Sequence, residues 1–400
     1  MSGARRAGTH LERLELHDLR AFSGVVIEPD PEGTTVLAGR NGSGKTTILE
    51  AVAFLGTLRS FRTASREAMV RAGCDRAIVR ADLERDGLPA LVEVELPATG
   101  RPRALVNRQA VRERRELART VPVTVFSPAD LDLVQGGPAG RRDLLDDALR
   151  LVDPRVAPSL EELDRILRQR AALLRQAGGR LDAGVATTLD VWDDRLAGAG
   201  AAVAAARRDL VSALQAPAAA AYAALASDRA GPTGGAIGSA GPTGGVLESA
   251  GGVPEPAGGI PGQPGGVVLS YRMSWSGNLA EALAASRAED VRRGLTTIGP
   301  HRDDLDLELA GRDARLQASR GEQRSLALAL RLAVHHLVTE RAGAPPILLL
   351  DDVFSELDPE RSRALVRQLP PGQALVTTAV PLPAGVAVAR VTDVDRLGRP

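Results

Sequence analysis

LAGRNGSGKTTILEA, Leu37 to Ala51, decides the fold of this 400-residue chain. It carries Lys45, the sole lysine of the sequence; of 50 Lys plus Arg residues the other 49 are arginine. Gly39-Arg40-Asn41-Gly42-Ser43-Gly44-Lys45-Thr46 fits the phosphate-loop pattern G-x-x-x-x-G-K-[ST] at every fixed position. An apolar, strand-like run precedes it and TTILEAVAFL, a helix by pattern, follows, which is the context the pattern requires. The glycines let the backbone curl so that successive N–H groups face phosphate oxygens. The helix N-terminus adds its partial positive charge. Lys45 then sets an ammonium between the β- and γ-phosphates of a bound nucleotide, and Thr46, followed by Thr47, offers a hydroxyl to Mg²⁺. Arginine is a broad planar fork and lysine a narrow point charge on a flexible stem. A crowded loop admits only the latter, which explains one lysine kept in an arginine-rich chain.

Working outward, the composition bounds the partners. Net charge is +0 and 44% of residues are hydrophobic. Such a chain builds a core but is no polycation, so a nucleic-acid site must be a local patch. Cys74 stands alone, without an internal disulfide partner or metal-ligand spacing, which fits a reducing cytoplasm. The N-terminus has basic residues but no apolar run behind them, so no signal peptide is expected. The uncharged run Leu210 to Ser227 is alanine-rich and too weakly apolar for a membrane span.

LERLELHDLRAF, VVIEP and TTVLAG read as short strands; AIVRADLER and ALVEVELPA alternate as half-buried antiparallel strands do; VPVTVF is a further strand. From Arg141 to Ala230 the period turns helical, predicting two antiparallel helices of roughly 30 residues, each about 45 Å long. GPTGGAIGSAGPTGGVLESAGGVPEPAGGIPGQPGG, residues 231–266, repeats GPTGG and cannot bury enough surface to order itself. VVLSYRMSW is strand-like again. The expected division is therefore 1–140, 141–230 as a helical arm, 231–266 as a disordered insertion, 267–290, and 291–400.

Two more stretches carry chemistry. PPILLLDDVFSELD (Pro345–Asp358) holds a continuous apolar run, as in a strand buried on both faces, ending in Asp351 and Asp352. A carboxylate there can hold Mg²⁺; the next can polarise an attacking water. ASRGEQRSLALALRLAVHHL places Ser319, Arg320 and Gly321 at the start of a long apolar helix.

ASRGEQR resembles the signature loop of ABC-type ATPases, and LLLDDVFSELD their Walker B strand and D-loop. A phosphate loop near the start with signature and Walker B near the end is the split head of the SMC-like branch. LRAF, GRNGSGKTTILEA, FSPADLDLVQGGPAGRRDLLD, GPHRDDL and LLLDDVFSELD are together similar to the RecF family of bacterial recombination and gap-repair ATPases. Three positions depart from the pattern. Arg320 stands where the wider class has Gly, Phe61 where the family often has His, and Val376–Ala379 has Thr where many ABC ATPases place a switch histidine.

The resemblance implies an α/β, ABC-type P-loop ATPase head with a helical arm inserted between phosphate loop and signature region. It implies ATP and Mg²⁺ as cofactors, with Lys45 and Asp352 catalytic, Gly39 to Thr47 with Ser319 and Gly321 on the nucleotide, and Thr46 and Asp351 on the metal. It further implies an ATP-induced head-to-tail homodimer on duplex DNA near single-strand gaps, RecR and RecO as partners, RecA loading, and slow, DNA-stimulated hydrolysis in the cytoplasm.

Read from the residues, DNA contacts fall to arginine clusters: Arg59, Arg62 and Arg66; Arg112, Arg114 and Arg115 within Arg101–Arg119; and Arg141-Arg142. With nine aromatics in all, stacking platforms are scarce and duplex backbone contact is favoured over single strands. His301 is a candidate sensor or turn residue. His335, His336, Trp192 and Trp275 read as structural, and Asp303 and Asp304 as capping or turn residues. The alternatives are a nucleotide-gated DNA scaffold with little hydrolysis, an ABC-type subunit of another assembly such as a transporter, and a long SMC-type coiled coil. The spacing of Lys45 and Asp351 argues against a transporter, and the short arm against a coiled coil.

Overall fold

The computed structural model describes residues 8–62, 65, 67–226 and 266–397. In chain order it runs β1 (Thr9–Leu19), β2 (Phe22–Ile27), β3 (Thr34–Ala38), α1 (Lys45–Thr57), β4 (Arg76–Arg85), β5 (Leu88–Pro97), β6 (Arg103–Val106), β7 (Gln109–Ala110), α2 (Arg114–Thr120) and β8 (Val123–Phe126). Helices α3 (Asp132–Gln135), α4 (Pro138–Val152), α5 (Ala157–Ala177) and α6 (Ala183–Ala226) follow. The chain returns through β9 (Val267–Arg272), α7 (Leu279–Arg293), β10 (Asp304–Leu309), β11 (Arg312–Asp313), α8 (Ala314–Gln317) and α9 (Arg320–Ala342). It closes with β12 (Ile347–Asp351), α10 (Pro359–Gln368), β13 (Ala374–Thr378) and β14 (Val388–Asp393).

The alternating segments build an antiparallel sheet in the order β2-β1-β4-β5-β6-β7. Val79, Ala81 and Leu83 on β4 and Val92, Val94 and Leu96 on β5 face one core, as a period of two requires. A bulge between Leu11 and Arg13 keeps Leu11 and Leu14 both buried, although their spacing is odd. Asp86 and Gly87, at φ 50° and 76°, close the β4–β5 hairpin as a two-residue turn of the Asp-Gly type.

The apolar runs build a parallel sheet, β14-β3-β13-β12-β8. All five residues of β12 are buried, and they divide by parity. Ile347 and Leu349 join the core shared with α1 and the antiparallel sheet. Leu348 and Leu350 join the core shared with α9 and α6. Helix α1 lies between the two sheets, which is why it is apolar nearly all round and buried from Ile48 to Gly56.

The helical region differs from the two-helix expectation. It holds α4, α5 and α6, of 15, 21 and 44 residues, the last about 66 Å long. Pro217 sits inside α6 without ending it. Leu214, Ala218 and Ala221, on both sides of the proline, are buried in the same core as α9, so packing holds the helix across it. A charged cluster binds α5, α6 and α7. Arg170, 0% exposed, bonds Asp193 at 2.9 Å, Asp290 at 2.8 Å and Thr296 at 2.7 Å. Helical periodicity alone does not reveal that cluster. The Gly/Pro-rich segment 231–266 lies, save Gly266, outside the described residues.

Candidate nucleotide-binding site

The phosphate loop leaves β3 at Ala38 and enters α1 at Lys45. Gly44 caps α1 at φ 104°, and a Cβ there would stand 2.5 Å from the ring of Phe22. Both facts demand glycine. They also assign a role to the phenylalanine of LRAF, which forms the floor under the loop. The arginine of that motif, Arg20, grips the buried Glu50 of α1 at 2.5 and 2.7 Å, so the β1–β2 turn is tied to the helix. The first turn of α1 contains no acidic residue, leaving its N–H groups and partial positive charge uncompensated. Lys45 is 8% exposed, and its ammonium donates to the loop carbonyls of Gly39 at 2.6 Å and Arg40 at 2.9 Å. Ser43 Oγ is buried without a hydrogen-bond partner among the described residues. The Arg40 N–H donates to Asp395 at 2.8 Å, a C-terminal contact that no sequence signal announces.

Asp351 ends β12, which β13 separates from β3 and its loop. Its Oδ1 accepts from Thr46 Oγ1 at 2.8 Å and from Thr377 Oγ1 at 2.9 Å. Burial pushes the Asp351 carboxyl above the usual aspartate range, while the two hydroxyls and the charge of Arg62 pull the other way. Asp352 adopts φ 48°, ψ 27°, the left-handed region, which costs a non-glycine residue on the order of 1 kcal/mol. Its N–H donates to Thr377 Oγ1 at 2.9 Å and its Oδ1 accepts from Ser355 Oγ at 2.5 Å. Thr46 and Asp351 thus offer two hard oxygens side by side. Among the described residues no group of three or more His, Cys, Asp or Glu could hold a metal. That donor set fits Mg²⁺, which commonly takes one or two protein oxygens and completes its shell with phosphates and water.

The structure therefore brings together residues 39–47, Asp351 and Asp352. It does not bring Ser319 or Gly321 to them. Ser319 caps α9 through a capping box: its N–H donates to Glu322 Oε2 at 2.8 Å, and Glu322 N–H donates to Ser319 Oγ at 3.3 Å. Among the described residues it bonds nothing in the phosphate loop, and Ser319 and Arg320 are both exposed. The first turns of α9 are anchored elsewhere. Gln323 donates to the Ala314 and Arg315 carbonyls, each at 3.0 Å, and accepts from Gln135 at 2.6 Å. Arg324 bonds Glu356 in the D-loop at 2.6 Å, and a Cβ on Gly321 would meet the Arg361 guanidinium at 2.8 Å.

The arginine clusters divide. Arg141 is a correction: it is buried and pairs with both oxygens of Asp304 at 2.7 and 2.9 Å, so it is not a phosphate contact. Arg142 donates to the Asp303 carbonyl at 2.7 Å. Asp303 accepts from Tyr271 OH at 2.5 Å and Ser274 N at 2.8 Å, holding the GPHRDDL turn. Arg59 pairs with Asp143 at 2.9 Å, and Arg62 stands 3.6 Å from Glu50. Arg115 pairs with Glu113. Arg112 and Arg114 line a groove of about 620 Å³ with Arg101, Arg165 and Arg168, and Glu113, Glu161 and Asp164 line it too. Arg66 lies outside the described residues. No helix of the described residues is long and apolar enough to cross a membrane.

Residues 10–379 match the family model of the RecF/RecN/SMC N-terminal domain. The DNA replication and repair protein RecF of Frankia alni is 42% identical over 375 residues, 93% of each chain. That of Streptomyces avermitilis is 40% identical over 379 residues, 93% of this chain and 94% of its own. Two solved structures of the recombination mediator protein RecF, in ATP and ATPrS forms, share the fold. Their TM-scores are 0.78 and 0.77 at 22% and 23% identity, covering 95% and 96% of each chain. By these matches the chain belongs to the RecF family of DNA replication and repair proteins, built on the RecF/RecN/SMC N-terminal domain.

Proposed function

We propose that this chain is an ATP-driven switch on DNA, in which two copies join head to tail around two nucleotides. The observation that carries the reading is the separation of the two anion-binding groups. Lys45 and Thr46 sit with Asp351 in one cluster, while Ser319 caps an exposed helix N-terminus that touches none of them. A second copy, turned by a two-fold axis, supplies Ser319 and Gly321 to the phosphates held by residues 39–47 of the first. Only the dimer makes both sets of contacts, so ATP stabilises it.

In this reading Lys45 leaves its loop carbonyls for the β- and γ-phosphates, and Thr46 and Asp351 hold Mg²⁺. The ion, when bound, neutralises charge developing on the transferred phosphoryl group. Asp352 orients and polarises the attacking water. Loss of the γ-phosphate removes the contact to Ser319 and releases the subunits. Residues 1–140 and 291–400 form the head, and 141–230 the arm. The groove lined by Arg112 and Arg114, together with Arg59, Arg62 and Arg115, contributes phosphate contacts to duplex DNA near a gap. RecR and RecO are the partners, RecA loading the outcome and the cytoplasm the setting, as in the family resemblance.

Turnover in the presence and absence of gapped duplex tests the cycle. The expected result is slow hydrolysis that DNA accelerates and that Asp352→Asn abolishes while ATP binding remains. Turnover unchanged in Asp352→Asn contradicts the assignment. The stretch Val376–Ala379, with Thr where many ABC ATPases place a switch histidine, favours a second reading, a nucleotide-gated scaffold. That reading predicts ATP-dependent DNA binding without measurable turnover.

A further inference from the structure

Thr377 is 1% exposed, at the end of β13, and its register partner across the sheet is Asp351. A threonine hydroxyl has one proton to donate and two lone pairs to accept with. Both functions are used here, and both serve the site. The proton goes to Asp351 Oδ1 at 2.9 Å and a lone pair takes the Asp352 N–H at 2.9 Å. Asp351 Oδ1 thereby receives two hydroxyl donors, from Thr46 on the phosphate loop and Thr377 on β13. No described residue hydrogen-bonds Asp351 Oδ2, so the orientation imposed through Oδ1 leaves that second oxygen free for a ligand.

The Asp352 bond acts on a different coordinate. Asp352 is in the left-handed region, a conformation that persists in a non-glycine residue only where its surroundings hold it. Among the described residues the Thr377 hydroxyl supplies the one hydrogen bond to its N–H. The adjacent threonine shows what strand-end chemistry alone looks like: Thr378 Oγ1 donates to the Val380 carbonyl at 2.5 Å and accepts the Val380 N–H at 3.1 Å, closing its own turn. The pairing of Thr377 with both carboxylate residues is not needed to end the strand.

We propose that Thr377 is a positioning residue for the hydrolytic step: one hydroxyl orients the Asp351 carboxylate toward the metal and locks the turn that aims Asp352 at the water. The inference rests on the nucleotide-site reading. It assigns to a threonine on β13 an orienting task toward two neighbouring carboxylate residues.

The test uses the full chain with Thr377→Val, which keeps the shape and removes the hydroxyl, and Thr377→Ser, which keeps the hydroxyl and removes the methyl. Three quantities are read: affinity for a fluorescent ATP analogue with and without Mg²⁺, steady-state turnover, and the urea midpoint. Misplacing a reacting group by an ångström lowers turnover as much as about a hundredfold. Thr377→Val is accordingly expected to lose tenfold or more in kcat, with about a threefold change or less in KM. Its affinity without Mg²⁺ stays at the parental value and the tightening by Mg²⁺ is lost. Thr377→Ser restores both. Parental kcat and parental Mg²⁺ response in Thr377→Val overturn the proposal. Equal losses in Val and Ser variants also overturn it, because the methyl's packing is then responsible. Should the valine variant fail to fold, Thr377→Ala against Thr377→Ser reads the same contrast. Full nucleotide affinity in Lys45→Ala would instead remove the site reading itself, a result independent of any Thr377 variant.

Discussion

Lys45 is buried and donates to two carbonyls of its own loop, 2.6 and 2.9 Å away, contacts that suit a narrow ammonium better than a broad planar guanidinium. Lys45→Arg should therefore fail as Lys45→Ala does, with ATP affinity by calorimetry down at least about tenfold in each. An arginine variant with parental affinity would show that the loop is roomier than its hydrogen bonds imply. A second residue-scale expectation concerns acid. His335 is 1% exposed, neither ring nitrogen has a partner among the described residues, and burial pushes its pKa down from 6.5 to about 4. The unfolded chain takes up the proton first, so this contribution to stability is full above pH 6.5 and is lost as pH falls toward about 4. The loss amounts to roughly 3 kcal/mol for this histidine. His301, lowered to about 4 by burial, acts in the same direction. His335→Leu should flatten the pH dependence of the urea midpoint between pH 7.5 and 5; a slope equal to the parent's would contradict the assignment. These two sites also mark what single residues disclose. The phosphate loop was legible because its chemistry is contiguous, eight residues in a row. The contacts that brace the site are not, because Asp395, Thr377 and Arg20, which bond Arg40, Asp351 and Glu50, come from other parts of the chain.

Among elements, β12 and α4 carry the clearest energetic expectations. Leu349 is fully buried against α1, and Leu349→Ala should cost about 2–5 kcal/mol in urea unfolding. The continuous apolar run made that strand readable, and its parity between two cores follows from the sheet. Arg141 was legible only as charge. Its pairing with Asp304 joins α4 to β10 across 163 positions, a distance at which local patterning says nothing. Arg141→Ala leaves the buried Asp304 carboxylate with Arg272 at 3.5 Å and the Leu305 N–H at 2.8 Å, and should cost on the order of 3 kcal/mol. The salt dependence of DNA binding should stay parental; a shallower slope would return Arg141 to the phosphate contacts. The sequence pattern shows two helices where there are three because apolar spacing continues smoothly past their joints. Asp153 and Gly178 end α4 and α5, the latter in the left-handed conformation that suits glycine. Pro217, the strongest breaker in the region, breaks nothing, since the flanking turns are clamped on α9.

At the scale of the whole molecule, one chain carries a phosphate loop with its carboxylates in one place and a capped, exposed serine in another. The antiparallel sheet and the α6–α9 core lie on opposite faces of the parallel sheet, and through it both groups are fixed to one rigid frame. Deleting residues 231–265, which lie between α6 and β9, should leave urea unfolding and turnover near parental; a collapse of stability would assign that segment a structural part. The head-to-tail dimer is tested most directly by sedimentation velocity of the parent and of Ser319→Arg, each with ATP, with ADP and without nucleotide. The account predicts twice the chain mass for the parent with ATP alone, and a monomer under every condition for Ser319→Arg although it still binds ATP. A Ser319→Arg chain that dimerises with ATP as the parent does would contradict it.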